Sequence, residues 1–132
     1  LRRAGIRADC LHGDIKQATR DKTMADFRHG KLPVLIATDV ASRGIDVDDV
    51  DGVINYDVPE ENEYYIHRIG RTGRARKKGI SFTLLGSFPE KAKLDEIAKF
   101  AGFRIVPMIF DEYGCLVPAP AEEKHPTSRR RF

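Results

Sequence analysis

The sequence predicts an α/β fold with a mostly parallel sheet. Apolar runs of strand length alternate with segments of helical periodicity over most of the 132 residues, and this alternation is typical of strand–helix–strand units. The runs at 33–38 and 80–85 are largely apolar rather than alternating, as expected for parallel strands covered on both faces. A chain of this length can bury one hydrophobic core.

The first strand is predicted at residues 8–12, and the first helix follows it at 13–30. Asp14 is a suitable N-cap, and Gln17 stands three residues later, which is the spacing of a capping box. Gly30 is placed where a helix of this length would end, because glycine accepts the left-handed conformation that often terminates helices.

The remaining elements are predicted, in chain order, as strands at 33–38 and 52–58, a short helix at 61–69, a strand at 80–85, a helix at about 88–101 and a final strand at 104–110. The helix at 88–101 has the clearest ends. Ser87 and Glu90 form a capping-box pattern before it, and Gly102 follows its last turn.

Composition changes at Pro118, after which the chain is rich in Pro, Glu and Arg and shows no periodicity. We therefore expect one domain over residues 1–117 and a flexible tail or linker over 118–132. No apolar run approaches the ~18 residues that a transmembrane helix needs, so no membrane partner is expected. The chain starts without methionine, which suggests a fragment of a longer protein.

Cys10 and Cys115 are the two cysteines of the chain, and each stands among apolar residues. We expect them to be buried free thiols, because neither has metal-ligand spacing with a histidine. The sequence has no disulfide framework and no visible signal peptide, which favours an intracellular, cytoplasmic protein.

The stretch "HRIGRTGRARKK" at 67–78 places Arg68, Arg71 and Arg74 at intervals of three, with glycines between them. A solvated helix face would not need those glycines, so the pattern indicates guanidinium groups held close to the backbone. The chain contains no P-loop sequence and is not expected to hold a nucleotide unaided. Arginines can instead reach a phosphate that another surface holds, which is the role of an arginine finger.

Three segments resemble motifs of the DEAD-box RNA helicases. "HRIGRTGR" at 67–74 resembles motif VI of that family, "ATDVASRGID" at 37–46 resembles motif V, and "QATR" at 17–20 resembles the smaller Gln-x-x-Arg motif. They occur in the family's order and at its usual separations. The resemblance covers roughly residues 8–105.

The resemblance implies a RecA-like three-layer sandwich, the second of two lobes that face each other across a cleft. The first lobe would carry the P-loop and the Asp-Glu-Ala-Asp box, and neither occurs in these residues. The strand that opens the second lobe in this family is expected upstream of Leu1, so the domain is N-terminally truncated. The implied cofactor is ATP with Mg²⁺, held mainly by the first lobe of the same polypeptide.

The resemblance also assigns nucleotide-side roles. Arg71 and Arg74 match the arginines that contact the γ-phosphate, with Arg74 as the finger, and His67 matches the histidine that couples the nucleotide and RNA sites. Asp46 matches the acid that contacts the ribose, and Gly44 allows the loop to approach the ligand. The residues alone leave a basic surface turn, a histidine that caps its own helix and a plain turn glycine as alternatives.

On the RNA side, the resemblance implies that Thr38 and Arg43 hold the sugar-phosphate backbone and that Gln17 and Arg20 lie on the RNA-facing helix. Gln17 in a capping box and Arg20 as an exposed helix charge are the alternatives. Arg68 has no assigned ligand, since an arginine at a helix end can satisfy carbonyls.

The main hypothesis is the C-terminal lobe of an ATP-dependent DEAD-box RNA helicase, an ATP hydrolase that remodels or unwinds RNA. The isolated fragment is expected to be inactive. Backbone contacts would make RNA binding independent of sequence and sensitive to salt. Two other hypotheses are a stand-alone RNA- or protein-binding module without ATPase activity, and a helicase of a neighbouring family that acts on DNA.

Overall fold

The structure, a computed structural model, describes residues 1–42, 49–73 and 78–121. A single 3₁₀ turn at Arg2–Ala4 precedes the main elements. In chain order these are β1 (Ala8–Leu11), α1 (Gln17–Arg28), β2 (Val34–Ala37), α2 (Asp39–Ser42), β3 (Gly52–Asn55), α3 (Asn62–Ile69), β4 (Ile80–Thr83), α4 (Phe88–Ala101), β5 (Met108–Phe110) and β6 (Leu116–Pro118).

The strands of the described residues pair two by two. β1 pairs with β2 in parallel, from Ala8 opposite Val34 onward. β3 pairs with β4 in parallel, from Gly52 opposite Ile80 onward. These pairings confirm the predicted α/β architecture with parallel strands. β5 and β6 form an antiparallel hairpin that the sequence pattern did not predict.

Two apolar clusters form the core, one beside each parallel pair. Leu11, Met24 and Ala41 are buried in the first, with Ile15, Phe27, Leu35 and Val50 packed around them. Tyr65, Leu94 and Ile97 are buried in the second, with Val58, Ile69, Phe103 and Ile105 packed around them. The second cluster joins α3 to α4, so the helix that precedes the Gly-Arg stretch rests on the core.

The ends of α4 agree with the prediction. The Ser87 side chain accepts a hydrogen bond from the backbone N–H of Glu90 at 3.4 Å, and the Glu90 carboxylate accepts one from the N–H of Gly86 at 2.7 Å. Gly102 has φ 76°, in the left-handed region. Both signals act within a few residues of themselves, which is why the sequence predicts them.

The start of α1 differs from the prediction. The helix begins at Gln17, after an N-cap at Lys16 that makes no side-chain capping bond. The predicted capping box of Asp14 and Gln17 is therefore wrong. The Gln17 amide instead donates to the Asp21 carboxylate one turn along the helix, at 2.8 Å.

The prediction that the strands are covered on both faces is also wrong for the described residues. Ile36 is 49% exposed and Ile80 is 55% exposed. Each parallel pair has one packed face beside its cluster, and the side chains of the other face lack a covering layer in the described part of the chain.

Cys10 and Cys115 are exposed free thiols, contrary to the prediction of burial. In β1 the buried positions are Ala8 and Leu11. Cys10 shares a strand face with Ala8 but is itself exposed. Beyond β6, the backbone N–H of Ala119 still donates to the carbonyl of Pro107 at 2.9 Å. The predicted boundary at residue 117 stays a prediction, and residues 122–132 of the expected tail lie outside the described ranges.

Candidate functional site

The turn that follows α3 is fastened to the segment before β3. The carbonyl of Arg71 accepts a hydrogen bond from the N–H of Val50 at 3.1 Å. The hydroxyl of Thr72 donates to the carbonyl of Val50 at 2.6 Å. This pair of bonds fixes the backbone on which Arg71 stands, so its guanidinium projects from a defined point.

The same turn depends on two glycines. Gly73 has φ 72°, a conformation that residues with a Cβ rarely adopt. A Cβ on Gly79 would lie 2.6 Å from Thr72 Oγ1 and 2.7 Å from Gly73 Cα, and would also overlap Gly73 N. The chain entering β4 therefore passes directly against the turn, in a space that admits no side chain.

A buried hydrogen-bond network anchors α3. The Tyr65 hydroxyl lies 2.8 Å from Thr83 Oγ1, and the Asn55 amide donates to Thr83 at 3.2 Å. The Tyr65 ring stacks on Phe103 with centroids 5.8 Å apart. Tyr65 is 4% exposed, so it acts as a packing residue of the core.

Arg68, near the end of α3, binds two carboxylates. Its Nε and Nη2 donate to the two oxygens of Asp39 at 2.7 and 2.6 Å. Its Nη1 donates to the carboxylate and the carbonyl of Asp57 at 3.0 and 2.9 Å. The sequence alone suggested that Arg68 satisfies carbonyls at its own helix end. The structure gives it aspartates from two other segments.

The hydrogen bonds to Asp39 raise the pKa of Arg68 above its ordinary value, burial partly opposes this, and the charges of Asp39 and Asp57 add to the increase. The raised pKa determines how the contribution of Arg68 to stability changes with pH. A cation with a raised folded-state pKa contributes its full stability below the unfolded value and loses it as pH rises through the folded value. Arg68 therefore stays charged throughout the neutral range.

Thr38 immediately precedes α2 and caps it. Its Oγ1 accepts a hydrogen bond from the N–H of Ala41 at 3.2 Å, and its carbonyl accepts one from the N–H of Ser42 at 2.8 Å, which is the geometry of an N-cap. Arg20 of α1 donates from Nη2 to the carbonyl of Ala41 at 2.8 Å and is half-buried. Arg20 is therefore more than the exposed helix charge of the alternative interpretation.

Gln17 and His67 are both exposed. Gln17 lies one turn before Arg20, so the two residues share a face of α1. Within the described ranges the His67 side chain makes no hydrogen bond, so it does not cap the part of its own helix that the structure shows.

The structure brings Arg20, Thr38, Arg68 and Arg71 into one connected region through α2 and the turn after α3. The remaining predicted site residues lie outside the described residues: Arg43, Gly44, Asp46 and Arg74. Sequence reasoning missed Asp39 and Asp57 as partners of Arg68. Each follows a parallel strand by two residues, and strand carboxyl ends are where sites form in such sheets.

Among the described residues, Arg71 is the one that the family resemblance assigns to a nucleotide phosphate, and a guanidinium can bind two phosphate oxygens at once. Residues 1–42, 49–73 and 78–121 contain no group of three or more His, Cys, Asp or Glu side chains that could hold a metal ion. Two clefts of about 380 and 440 Å³ lie beside the amino-terminal segment and contain none of the predicted site residues. No helix in the described ranges is long and apolar enough to cross a membrane.

Comparison with known proteins places these features in a family. Residues 1–76 match the family model of the helicase conserved C-terminal domain. The chain is 48% identical over 111 residues to mouse "Probable ATP-dependent RNA helicase DDX17", covering 83% of this chain and 17% of that protein. It is 55% identical over 98 residues to Saccharomyces cerevisiae "ATP-dependent RNA helicase FAL1", covering 74% of this chain and 24% of that protein.

Solved structures agree. The C-terminal domain of the DEAD-box protein Dbp5 matches with a TM-score of 0.72 and 39% identity, over 76% of this chain and 59% of that one. A DEAD box protein from Methanococcus jannaschii matches with a TM-score of 0.70 and 46% identity, over 78% of this chain and 28% of that one. S. cerevisiae Dbp5 bound to RNA and ADP BeF3 matches with a TM-score of 0.70 and 39% identity, over 76% of this chain and 27% of that one.

The predicted RecA-like fold is thus confirmed, and the chain spans less than a third of the length of the curated relatives it matches. The family model covers more than half of the chain, and both curated relatives are far more similar in sequence than a shared fold alone would require. The chain belongs to the DEAD-box RNA helicase family, as a helicase C-terminal domain.

Proposed function

We propose that this chain supplies one wall of a nucleotide- and RNA-binding cleft in an ATP-dependent RNA helicase, with residues 1–117 as the helicase domain. One observation carries the proposal. The turn that holds Arg71 is hydrogen-bonded to Val50, and Arg68, one helical turn earlier, is bound to α2. The residues proposed to contact phosphate and RNA therefore belong to one connected region.

On the nucleotide side, Arg71 and Arg74 would reach the γ-phosphate, with Arg74 as the finger. Guanidinium suits this role because it is always charged and binds two phosphate oxygens at once. Asp46 would contact the ribose beside Gly44, and His67 would couple the two sites. ATP with Mg²⁺, held mainly by the N-terminal lobe of the same polypeptide, supplies the phosphoryl group and most of its charge neutralisation.

On the RNA side, Thr38, Arg43, Gln17 and Arg20 would contact the sugar-phosphate backbone. Arg20 uses one nitrogen on Ala41, and a guanidinium has five N–H groups, so donors remain for a phosphate. Hydroxyl, amide and guanidinium groups suit phosphate and ribose oxygens and carry no base preference. Cleft closure on RNA and ATP would bend one RNA strand, and hydrolysis would reopen the cleft.

The experiment uses the full-length natural polypeptide. In Arg71→Ala and Arg74→Ala variants we expect RNA-stimulated ATPase activity to fall by about 10³-fold or more, while ATP affinity changes little. Arg104, at the start of the segment after α4, provides a matched control as Arg104→Ala, which should keep wild-type turnover. Equal losses of ATP affinity and turnover would contradict the finger assignment.

A second candidate is a binding module without ATPase activity. For the isolated fragment it is favoured by one observation, the absence of any P-loop sequence from the 132 residues. ATP turnover by the full-length polypeptide would exclude it, and stimulation by RNA rather than DNA would exclude a DNA helicase. We further propose an intracellular, cytoplasmic location, which suits the free thiols of Cys10 and Cys115.

A further inference from the structure

α2 (Asp39–Ser42) is held at both ends by arginines from two different helices. Arg68 of α3 binds the Asp39 carboxylate at the start of α2, and Arg20 of α1 binds the Ala41 carbonyl near its end. Ala41 itself is 2% exposed and belongs to the first core cluster. The described residues of α2 span a single helical turn, which has no stability of its own, so these contacts hold it in place.

The geometry at Arg68 specifically requires a guanidinium. Each of its three nitrogens donates to an aspartate, two of them to Asp39 and one to Asp57. The Arg68 side chain is 19% exposed and that of Asp39 is 29% exposed, so water competes weakly for this pair. A lysine has one nitrogen and cannot reproduce the fork. Arg68 is therefore directed at protein carboxylates rather than at a bound phosphate.

We infer that Arg68 is a positioning residue that holds the RNA-side turn α2 and the phosphate-side turn after α3 as one unit. Thr38 caps α2, and Arg71 stands one helical turn beyond Arg68. When the Arg68–Asp39 fork is intact, a shift of either turn must move the other. The inference rests on the proposed function only for what Thr38 and Arg71 contact. It predicts that loss of the fork uncouples RNA binding from ATP turnover.

The test is a double-mutant cycle in the full-length polypeptide with Arg68→Lys, Asp39→Asn and the double variant. We expect each single variant to reduce the RNA-dependent increase of kcat/KM for ATP by about tenfold, a size within the usual range of coupling between sites. The RNA-free KM for ATP should stay unchanged. The double variant should lose about as much as Arg68→Lys alone, because the contact with Asp39 is already absent from that variant.

Asp95→Asn is the matched control. It removes a carboxylate that pairs with Lys91 at 3.3 Å on the exposed face of α4, and it should keep full RNA stimulation. Asp57→Asn is a milder second variant, because the Asp57 side chain is 69% exposed. Thermal unfolding should show that this variant is folded, and its RNA stimulation of ATPase activity should be reduced by an intermediate amount. The inference therefore remains testable even if Arg68→Lys fails to fold.

The outcomes separate the two proposals. A wild-type polypeptide without RNA-stimulated ATPase activity contradicts the proposed function. If the wild type is stimulated and the folded Asp39→Asn and Asp57→Asn variants keep that stimulation, the positioning role of Arg68 is overturned. Independent, additive losses in the Arg68 and Asp39 variants would overturn it as well, because the residues would then act separately.

Discussion

The hydroxyl of Tyr65 and Oγ1 of Thr83 lie 2.8 Å apart, which ties the middle of α3 to the last residue of β4. Asn55, at the end of β3, donates to the same Thr83 oxygen. The helix that carries His67 and Arg68 is thereby fixed to the carboxyl ends of two parallel strands. The direction of the Gly-Arg turn is set by the core rather than by the loop itself.

Tyr65→Phe tests this anchor. The variant keeps the ring stack on Phe103 but leaves Thr83 with one partner fewer, so the free energy of unfolding should fall by about 1–2 kcal/mol. Equilibrium unfolding in urea measures it. Tyr56, which is 85% exposed, supplies the control: Tyr56→Phe should change stability by less than about 0.5 kcal/mol. If both changes lowered the free energy of unfolding equally, the hydrogen bond between Tyr65 and Thr83 would not contribute to stability.

Gly79→Ala tests the close approach beneath the Gly-Arg turn. The new methyl would press on the Gly73 backbone and on Thr72, and overpacking of this kind costs about 1–3 kcal/mol. Because Thr72 fastens the turn to Val50, RNA-stimulated ATPase activity should fall as well.

Gly13→Ala is the control for this change. A Cβ on Gly13 would meet no atom within 4 Å, and Gly13 is not among the glycines with positive φ, so the variant should retain both stability and activity. Wild-type activity in Gly79→Ala would show that the turn tolerates displacement.

Ile97→Ala tests the second core cluster. Ile97 is 0% exposed and packs with Tyr65 and Leu94, so truncation should lower the free energy of unfolding by about 2–5 kcal/mol. Urea unfolding again provides the measurement. Phe100 is on the same helix but is 59% exposed, and Phe100→Ala should have a clearly smaller effect. A larger loss at Phe100 than at Ile97 would contradict the assignment of the core.

Salt dependence tests the mode of RNA binding. If Arg20 contacts a phosphate, Arg20→Ala should reduce the slope of log affinity against log salt by about 0.7, the value for one single-strand phosphate. Gln17→Ala is the matched neutral change on the same face of α1, and it should weaken binding without altering the slope. Filter binding of several unrelated RNAs at a series of salt concentrations gives both quantities. An unchanged slope in Arg20→Ala would limit Arg20 to its contact with Ala41.

Some features of this protein were determined by sequence alone. The helix Phe88–Ala101 was predicted with both ends, because Ser87, Glu90 and Gly102 act on the backbone within a few residues of themselves. The parallel α/β class followed from the alternation of elements. The family followed from "HRIGRTGR" and "ATDVASRGID", whose residue types and order are specific even without coordinates.

Tertiary structure decided the rest. Arg68 finds Asp39 at a separation of 29 residues, and a contact of that kind depends on which strand ends meet rather than on any local pattern. The predictions of burial for Cys10 and Ile36 are wrong, because hydrophobicity reports what a side chain prefers and not which neighbours cover it. The sequence names the residues proposed for the site, and the tertiary contacts of α2 with Arg20 and Arg68 decide which of the described ones lie together.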